Sequence, residues 1–333
     1  MSKRIYWKDT YVGIAMLLIY VFHLRNYNPG LIRPFVMYFA NPVIFMASGF
    51  FASRLKNKNV SFKEVLIKDV KRLLIPYILW ALINTTYISI LNNWFAHETL
   101  NVLMTFVYCD VDSGYIFAGT TWFLIGLFLC RMCYYLLSKY ISNKYFLISI
   151  CFVINALILV QFNGVPSSGF LRGFYFMIFY CIGDLIFESL NKVKNNYLTN
   201  FNIKSVIIIV ISIIYLIVIY FKGTTLVNAV NNKFIFLELQ QVIIPIGLCI
   251  SIAFISMVIN IPFFIEIGQN SIIFCCMESI SKSIFTIIPN MFGLTIALNN
   301  PISCIIFSIA IAYILIKLII PFINNYFPYL KGV

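Results

Sequence analysis

The stretch KDTYVGIAMLLIYVFHLR, residues Lys8 to Arg25, decides the class of this protein. Its apolar run, residues 13–22, resembles a membrane helix but is too short to cross a bilayer, because a spanning helix needs about 20 mostly apolar residues. A helix that spans must therefore bury Lys8 and Asp9, or His23, or both. Ionisable residues are costly to bury in a membrane, so these polar ends are candidates for function. The alternative is that both ends lie in the headgroup zones.

The composition supports a membrane protein throughout. Of the 333 residues, 62% are hydrophobic and 11% are charged, and the mean hydropathy is +0.94. Soluble domains carry about 25% charged residues. The net charge of +13 would suggest nucleic acid in a soluble protein. Here basic residues are expected in cytoplasmic loops, and no soluble basic domain is present, which excludes nucleic acid as a partner.

The apolar segments predict an all-α protein, a polytopic transmembrane bundle of about ten helices. No low-complexity linker or charged soluble block separates them, so residues 1–333 are expected to form a single domain. The ten predicted spans are 6–25, 31–53, 73–93, 118–138, 145–162, 169–189, 205–221, 234–259, 270–289 and 301–323.

The loops predict the orientation. Residues 53–72 contain seven Lys and Arg, whereas residues 92–121 contain none and carry three acidic residues. The positive-inside rule therefore places both termini in the cytoplasm of a plasma-membrane protein. Lys8 and Asp9 then lie toward the inner face and His23 toward the outer face. The 53–72 segment also has a helical pattern, which fits a helix on the inner membrane surface or a site for an anionic cofactor.

Few residues are suited to acid–base chemistry. The chain has two histidines, and only His23 lies in a predicted span, so it is the candidate base. No metal is expected, because no second His or Cys stands at ligand spacing from it. Glu278 and Lys282 stand four residues apart on one predicted helix. They form either a self-neutralised pair or a functional carboxylate with its partner.

Six stretches of the chain resemble, in the same order, motifs of the acyltransferase-3 family of membrane O-acyltransferases, especially its branch similar to fucose O-acetylases. They are RIYWKDTYVGIAMLLIYVFH, NPVIFMASGFFASRL, KRLLIPYILW, TTWFLIGLFLCRMCYYLL, RGFYFMIFYCIGDLIF and IGQNSIIFCCME. The matching residues are Arg4, Asp9, Gly13, Ala15, His23, Ser48, Gly49, Phe50, Arg72, Pro76, Trp80, Trp122, Arg131, Gly183, Gly268 and Ser271.

The resemblance implies transfer of an acyl group, usually acetyl from acetyl-CoA, to a hydroxyl of a cell-surface sugar or lipid-linked sugar. It implies a catalytic role for His23, and Glu278 is the candidate to substitute for a second proton carrier. The donor, as acyl-CoA, would bind near the inner end of the first helix, at Lys8, Asp9 and the basic 68–72 stretch, Arg72 above all, because CoA phosphates suit Lys and Arg. The acceptor would bind at residues from three different spans, Ser48, Trp122 and Arg172.

The chain departs from the family pattern at two positions. Val12 replaces the basic residue before the first glycine, and Glu278 replaces a histidine that is common near the end. A transporter of glycan intermediates, or an inactive relative, is therefore the alternative function. A transporter predicts repeated halves with matching helix breaks, and this chain shows no repeat, which favours the enzyme.

Overall fold

The structure of the protein is a computed structural model, and it describes residues 5–23, 32–52, 60–94, 96–111, 121–198, 203–228, 239–259, 261–291 and 301–332. These residues form helices and connecting turns, and the only extended pairing among them is an isolated bridge between Asp110 and Ser168. The predicted all-α class is therefore confirmed.

Fifteen α-helices follow one another along the described chain, numbered here in order. They are α1 Tyr6–His23, α2 Ile32–Gly49, α3 Phe62–Asp69, α4 Ile75–Leu91, α5 Ala96–Tyr108, α6 Trp122–Tyr140, α7 Lys144–Phe162, α8 Gly169–Tyr175, α9 Met177–Val193, α10 Ile203–Asn228, α11 Ile244–Val258, α12 Pro262–Gln269, α13 Ser271–Met291, α14 Pro301–Ile314 and α15 Ile320–Tyr326. Short π-helical turns cover Val70–Leu74, Lys194–Leu198, Leu239–Ile243 and Leu315–Ile319, and a 3₁₀ helix covers Pro328–Lys331.

Each of the ten predicted spans coincides with a helix where the structure describes it. Within those ranges, six continuous helices are long and apolar enough to cross a membrane, or seven if the bent pair α12 and α13 counts as one span. The predicted count of ten is therefore not confirmed. Helix α1 has 18 residues but is not among the six, because its polar ends lower its hydropathy. The predicted loop of residues 92–121 contains a helix of its own, α5.

The chain divides into two compact units, each built from three separate segments. The first contains residues 1–53, 179–271 and 298–309, and the second contains residues 54–178, 272–297 and 310–333. Helices α1, α2, α10, α11 and α12 belong to the first unit, together with nearly all of α9. Helices α3 to α8 and α15 belong to the second, together with nearly all of α13.

Glycines set the helix crossings of the first unit. Helix α1 packs against α2, α11 and α12. A Cβ at Gly13 would collide with the backbone carbonyl of Phe264, and one at Gly268 with that of Asp9. Helices α1 and α12 thus meet backbone to backbone, with one glycine from each. In membranes, small residues at such crossings provide the close packing that apolar burial alone does not.

The second unit begins with a helix whose start is well specified. Ser61 caps α3 by accepting a hydrogen bond from the Glu64 amide, and the Glu64 carboxylate accepts one from the Ser61 amide. This reciprocal capping box satisfies two amides of the first helical turn. The buried face of α3 then packs through Val65 against Met132 and Tyr135 of α6.

Proline accounts for the location of three π-helical turns. Pro76, Pro245 and Pro321 each stand two residues after such a turn ends. A proline inside a helix has no amide to donate, and its ring collides with the carbonyl four residues earlier. The wider π turn relieves this collision, and the chain continues as an α-helix beyond it. For Pro76, the carbonyl concerned belongs to Arg72.

Candidate functional site

His23 is the last residue of α1, in the first unit. Its imidazole is partly buried, its Nδ1 atom is shielded from solvent, and its ring lies edge-on to Phe22 with centroids 5.3 Å apart. His23 therefore lies at the C-terminal end of α1 with its ring partly shielded from solvent.

Lys8 and Asp9 lie in the first turns of the same helix. Asp9 is buried, and Gln269 donates a hydrogen bond to its Oδ2 atom over 3.5 Å. The Lys8 ammonium lies 4.0 Å from the centre of the Phe51 ring, a cation–π contact. Sequence analysis assigned both residues to the donor, and the structure adds two neighbours, Gln269 and Phe51, that it did not identify.

An aromatic cluster surrounds this end of α1. Trp7 packs 5.3 Å from Phe50, and Phe50 stacks on Phe187 at 5.4 Å. The indole Nε1 of Trp7 is buried and has no hydrogen-bond partner among the described residues. The sequence offered only a weak signal for the cluster, namely aromatic residues at one end of three separate helices.

Ser48 lies near the end of α2, also in the first unit. Its hydroxyl donates to the Ile44 carbonyl one turn earlier over 2.9 Å. Such a bond satisfies a serine inside an apolar helix without any ligand. Next to it, Gly49 faces the backbone carbonyl of Tyr180, and Gly183 of α9 faces that of Met46. These two motif glycines therefore mark a second close helix crossing.

Arg72 belongs to the second unit and has an exposed side chain in the π turn before α4. Its backbone carbonyl lies against Gly332, which has a φ of 77° and no room for a Cβ. Exposure leaves the guanidinium accessible to an anion in solution.

A buried ion pair anchors the helix beside Arg72. Arg131 of α6 donates from Nε to Asp69 Oδ2 over 2.8 Å and from Nη2 to Asp69 Oδ1 over 3.0 Å. Asp69 is fully buried, and 13% of the Arg131 side chain is exposed. The bidentate geometry fixes both distance and angle between the two helices. Sequence analysis noted Arg131 only as a motif residue and did not identify its partner.

The structure brings Trp122 and Arg172 together within the second unit. The Arg172 guanidinium lies 5.0 Å from the centre of the Trp122 ring, and its Nε donates to the Pro166 carbonyl over 2.6 Å. On the ring itself, Phe176 stacks at 5.7 Å. Because Trp122 is only 5% exposed, Arg172 and not the indole is accessible to a ligand.

Cys109 lies close to this pair, at the end of α5 with a φ of 51°. Burial raises the pKa of its thiol to about 11, against the lowering effects of a hydrogen bond from Tyr77 and the charge of Arg172. A thiol with such a pKa stays protonated near neutral pH and is a poor nucleophile. All nine cysteines are free thiols.

Glu278 lies in α13, in the second unit, and forms the predicted ion pair with Lys282. Glu278 is fully buried and Lys282 is 9% exposed. Ser279 also donates to a carboxylate oxygen of Glu278, over 3.3 Å. This geometry is that of a self-neutralised pair, which lowers the cost of both charges in an apolar helix.

The predicted site residues are thus divided between the two units. Lys8, Asp9, His23 and Ser48 belong to the first, and Arg72, Trp122, Arg172 and Glu278 to the second. Among the described side chains, no group of three His, Cys, Asp or Glu is arranged to hold a metal ion. Arg4, a motif residue in the resemblance, lies outside the described residues.

Comparison with known proteins adds one finding. The profile of the acyltransferase-3 family, described as an acyltransferase domain, matches residues 12–319. Curated proteins and solved structures give no match. The matched range includes His23, Ser48, Arg72, Trp122 and Glu278, and it spans both units. With several apolar helices in the membrane and a family profile over most of its length, the chain belongs to the acyltransferase-3 family of membrane acyltransferases.

Proposed function

We propose that this protein is an O-acetyltransferase of the plasma membrane, similar to the fucose O-acetylase branch of its family. It transfers acetyl from acetyl-CoA to a hydroxyl of a cell-surface polysaccharide or glycolipid. The observation that carries the proposal is the position of His23, a histidine at the end of the apolar helix α1 within the family match. With both termini in the cytoplasm, this end of α1 faces the extracytoplasmic side, where a surface glycan is found.

The chemistry follows from the properties of imidazole. His23 takes the proton from the acceptor hydroxyl while the oxygen attacks the thioester carbon. The C–S bond of the tetrahedral intermediate then breaks, and the imidazolium returns the proton to the CoA sulfur. The products are an acetyl ester and free CoA. General base catalysis of this kind contributes roughly 10²- to 10⁴-fold in rate. A covalent acetyl-imidazole is the alternative route through the same residue.

The donor side of the proposal depends on Arg72. Acetyl-CoA carries phosphate groups that a bilayer excludes, so its headgroup must bind at the cytoplasmic side. Arg72 is an exposed guanidinium, which suits bidentate phosphate contacts. Lys8 and Asp9, which belong to the first unit, are also assigned to the donor. Their cation–π contact and buried carboxylate are compatible with that role.

The acceptor side is assigned to Ser48, Trp122 and Arg172. Of these, Arg172 offers the accessible polar group, and its guanidinium packs on the buried Trp122 ring. Glu278 is proposed to hold Lys282 and, in place of a second histidine, to assist proton movement.

One experiment with two readouts tests these roles. Surface glycan from cells that express the protein is analysed by mass spectrometry for acetyl groups, and acetyl-CoA affinity is measured on purified protein. His23→Ala and His23→Gln are expected to remove acetylation and to leave acetyl-CoA affinity unchanged. Arg72→Ala is expected to lower that affinity by at least roughly ten-fold, since a charge-assisted contact contributes about 1.5–3 kcal/mol.

The chain supplies a matched control in its second histidine. His97 is exposed on α5, where its ring lies 3.4 Å from the Asn101 side chain. His97→Ala should retain wild-type acetylation. Wild-type acetylation in the His23→Ala strain would refute the catalytic assignment, and unchanged affinity in Arg72→Ala would remove the donor assignment.

A further inference from the structure

The helix that carries Arg72 is longer than a membrane span requires. Residues Phe62–Leu91 form one continuous helix of 30 residues. At 1.5 Å per residue it is about 45 Å long, whereas the hydrocarbon core is about 30 Å thick. Its charged residues all lie in the first eleven positions, and residues 73–91 have none. The N-terminal third must therefore emerge from the hydrocarbon into the headgroup layer.

The orientation of this emerging third about its own axis is fixed by its buried face. Val65 packs on α6, and Asp69 is held by Arg131. The opposite face therefore points outward, and it carries the exposed lysines Lys63, Lys68 and Lys71. The acidic residue on that face, Glu64, is engaged in the capping box.

Exposed tyrosines lie at the end of the second unit where the helix Phe62–Leu91 begins, and they indicate that this end is at the membrane surface. Tyr140, at the end of α6, is 83% exposed, and Tyr145, at the start of α7, is 72% exposed. The 3₁₀ helix Pro328–Lys331 packs beside the π turn Val70–Leu74. The Trp80 indole of α4 donates to the Leu330 carbonyl of this 3₁₀ helix over 3.0 Å, and Tyr329 remains exposed. Tyrosine is enriched at the membrane–water interface, where its ring and hydroxyl meet different surroundings.

Apolar side chains accompany the lysines. Ile67 is 46% exposed and lies on the same outward face as Lys63 and Lys71. Phe62, whose ring contacts Tyr135 of α6, is still 40% exposed at the start of the helix. A helix that presents cations together with large apolar groups suits an anionic lipid surface, where phosphates bind the cations and acyl chains accept the apolar groups.

We infer that Lys63, Lys68 and Lys71 form a binding surface for the phosphate headgroups of anionic phospholipids. Lipid seated there holds the start of the helix at a fixed depth. The attraction of an anionic leaflet amounts to about five-fold in affinity for each basic residue close to the surface. Three lysines together therefore contribute up to about 100-fold. The inference does not depend on the acyl-transfer reaction.

The test uses the full-length purified protein and two lipids, phosphatidylglycerol and phosphatidylcholine. Native mass spectrometry gives the affinity of each. Wild-type protein is expected to bind phosphatidylglycerol more tightly, and replacement of Lys63, Lys68 and Lys71 by Ala should weaken that binding by at least about ten-fold. The preference should fall in 1 M salt, where the screening length is about 3 Å.

A charge-matched control separates this surface from net charge. Lys192, Lys204 and Lys317 are also exposed, and their replacement by Ala removes the same three charges. The control should keep wild-type lipid preference and wild-type acetyl-CoA affinity. Equal loss of lipid binding in both variants would overturn the inference, because net charge would then explain it. Loss of acetyl-CoA affinity in the Lys63, Lys68 and Lys71 variant alone would overturn it too, since the lysines would then serve the donor.

Discussion

At the scale of single residues, the Asp69–Arg131 pair is the strongest polar contact near the proposed donor residue. It lies one helical turn before Arg72 and is almost completely shielded from water. A buried ion pair gives little net stability compared with apolar residues of the same size, because both charges lose hydration. The ion pair instead fixes the packing geometry, because its two parallel hydrogen bonds allow only one orientation of α3 on α6.

Removing one partner of this pair should therefore destabilise the protein strongly. Asp69→Ala leaves the Arg131 guanidinium buried without its carboxylate, at a cost of about 3–5 kcal/mol. Thermal unfolding of the detergent-purified protein measures the loss. The double variant Asp69→Ala with Arg131→Met should recover part of it, because no buried charge then remains. An Asp69→Ala protein as stable as wild type would show that the pair is not buried as described.

At the scale of elements, glycine and proline explain where helices touch and where they widen. Gly13 and Gly268 form one crossing, and Gly49 and Gly183 form another. All four occur in the stretches that resemble the family. Their structural role is close backbone contact, which places α1 with its polar ends directly against α12.

Adding a single methyl group at such a crossing should be costly. In Gly268→Ala the new Cβ would overlap the Asp9 backbone carbonyl, which cannot rotate away, so α12 must shift from α1. Overpacking of this kind costs typically 1–3 kcal/mol or more, and surface acetylation should fall with the displaced Asp9. The melting temperature and glycan acetylation are the two measurements.

Gly126→Ala supplies the comparison for this change. Its Cβ would lie 3.3 Å from the nearest atoms, so the neighbours need to move by only a few tenths of an ångström. We expect a much smaller loss of stability than for Gly268→Ala. Equal effects at the two positions would contradict the proposed backbone contact.

At the scale of the whole molecule, the open question is orientation. The charge contrast between residues 53–72 and 92–121 predicts that Lys63 lies inside and His97 outside. Both side chains are exposed and suitable for labelling. Eight of the nine native cysteines are buried, so background reaction with a polar maleimide should be low.

Cysteine labelling in intact cells tests this topology. His97→Cys should react with a membrane-impermeant maleimide added outside, and Lys63→Cys should react only after the cells are permeabilised. The unmodified chain shows the background. Labelling of Lys63→Cys from outside would invert the orientation and would also remove the reason for placing His23 at the extracytoplasmic side.

Much of the fold could be predicted because it depends on local sequence. The chain has long apolar segments and a low charge content, which indicate a membrane protein. Helices are then required, because backbone amides and carbonyls in the hydrocarbon must be hydrogen-bonded within the chain. The motifs that resemble the family are likewise local, and they identified His23, Arg72 and the crossing glycines. The Glu278–Lys282 pair was also predictable, because a spacing of four residues places both side chains on one helix face.

Only the tertiary structure decided the contacts between distant segments. Asp69 and Arg131 are 62 residues apart, and Asp9 and Gln269 are 260 residues apart, so no local pattern connects them. The contact between Trp122 and Arg172, and the burial of that indole, likewise depend on how α8 packs on α6. Within the residues that the structure describes, six or seven helices are long and apolar enough to cross a membrane, so the predicted count of ten is not confirmed. Sequence alone therefore determined that this is a membrane protein and where its helices lie. Which polar residues contact one another was determined by the packing of the helices, because those residues are far apart in the sequence.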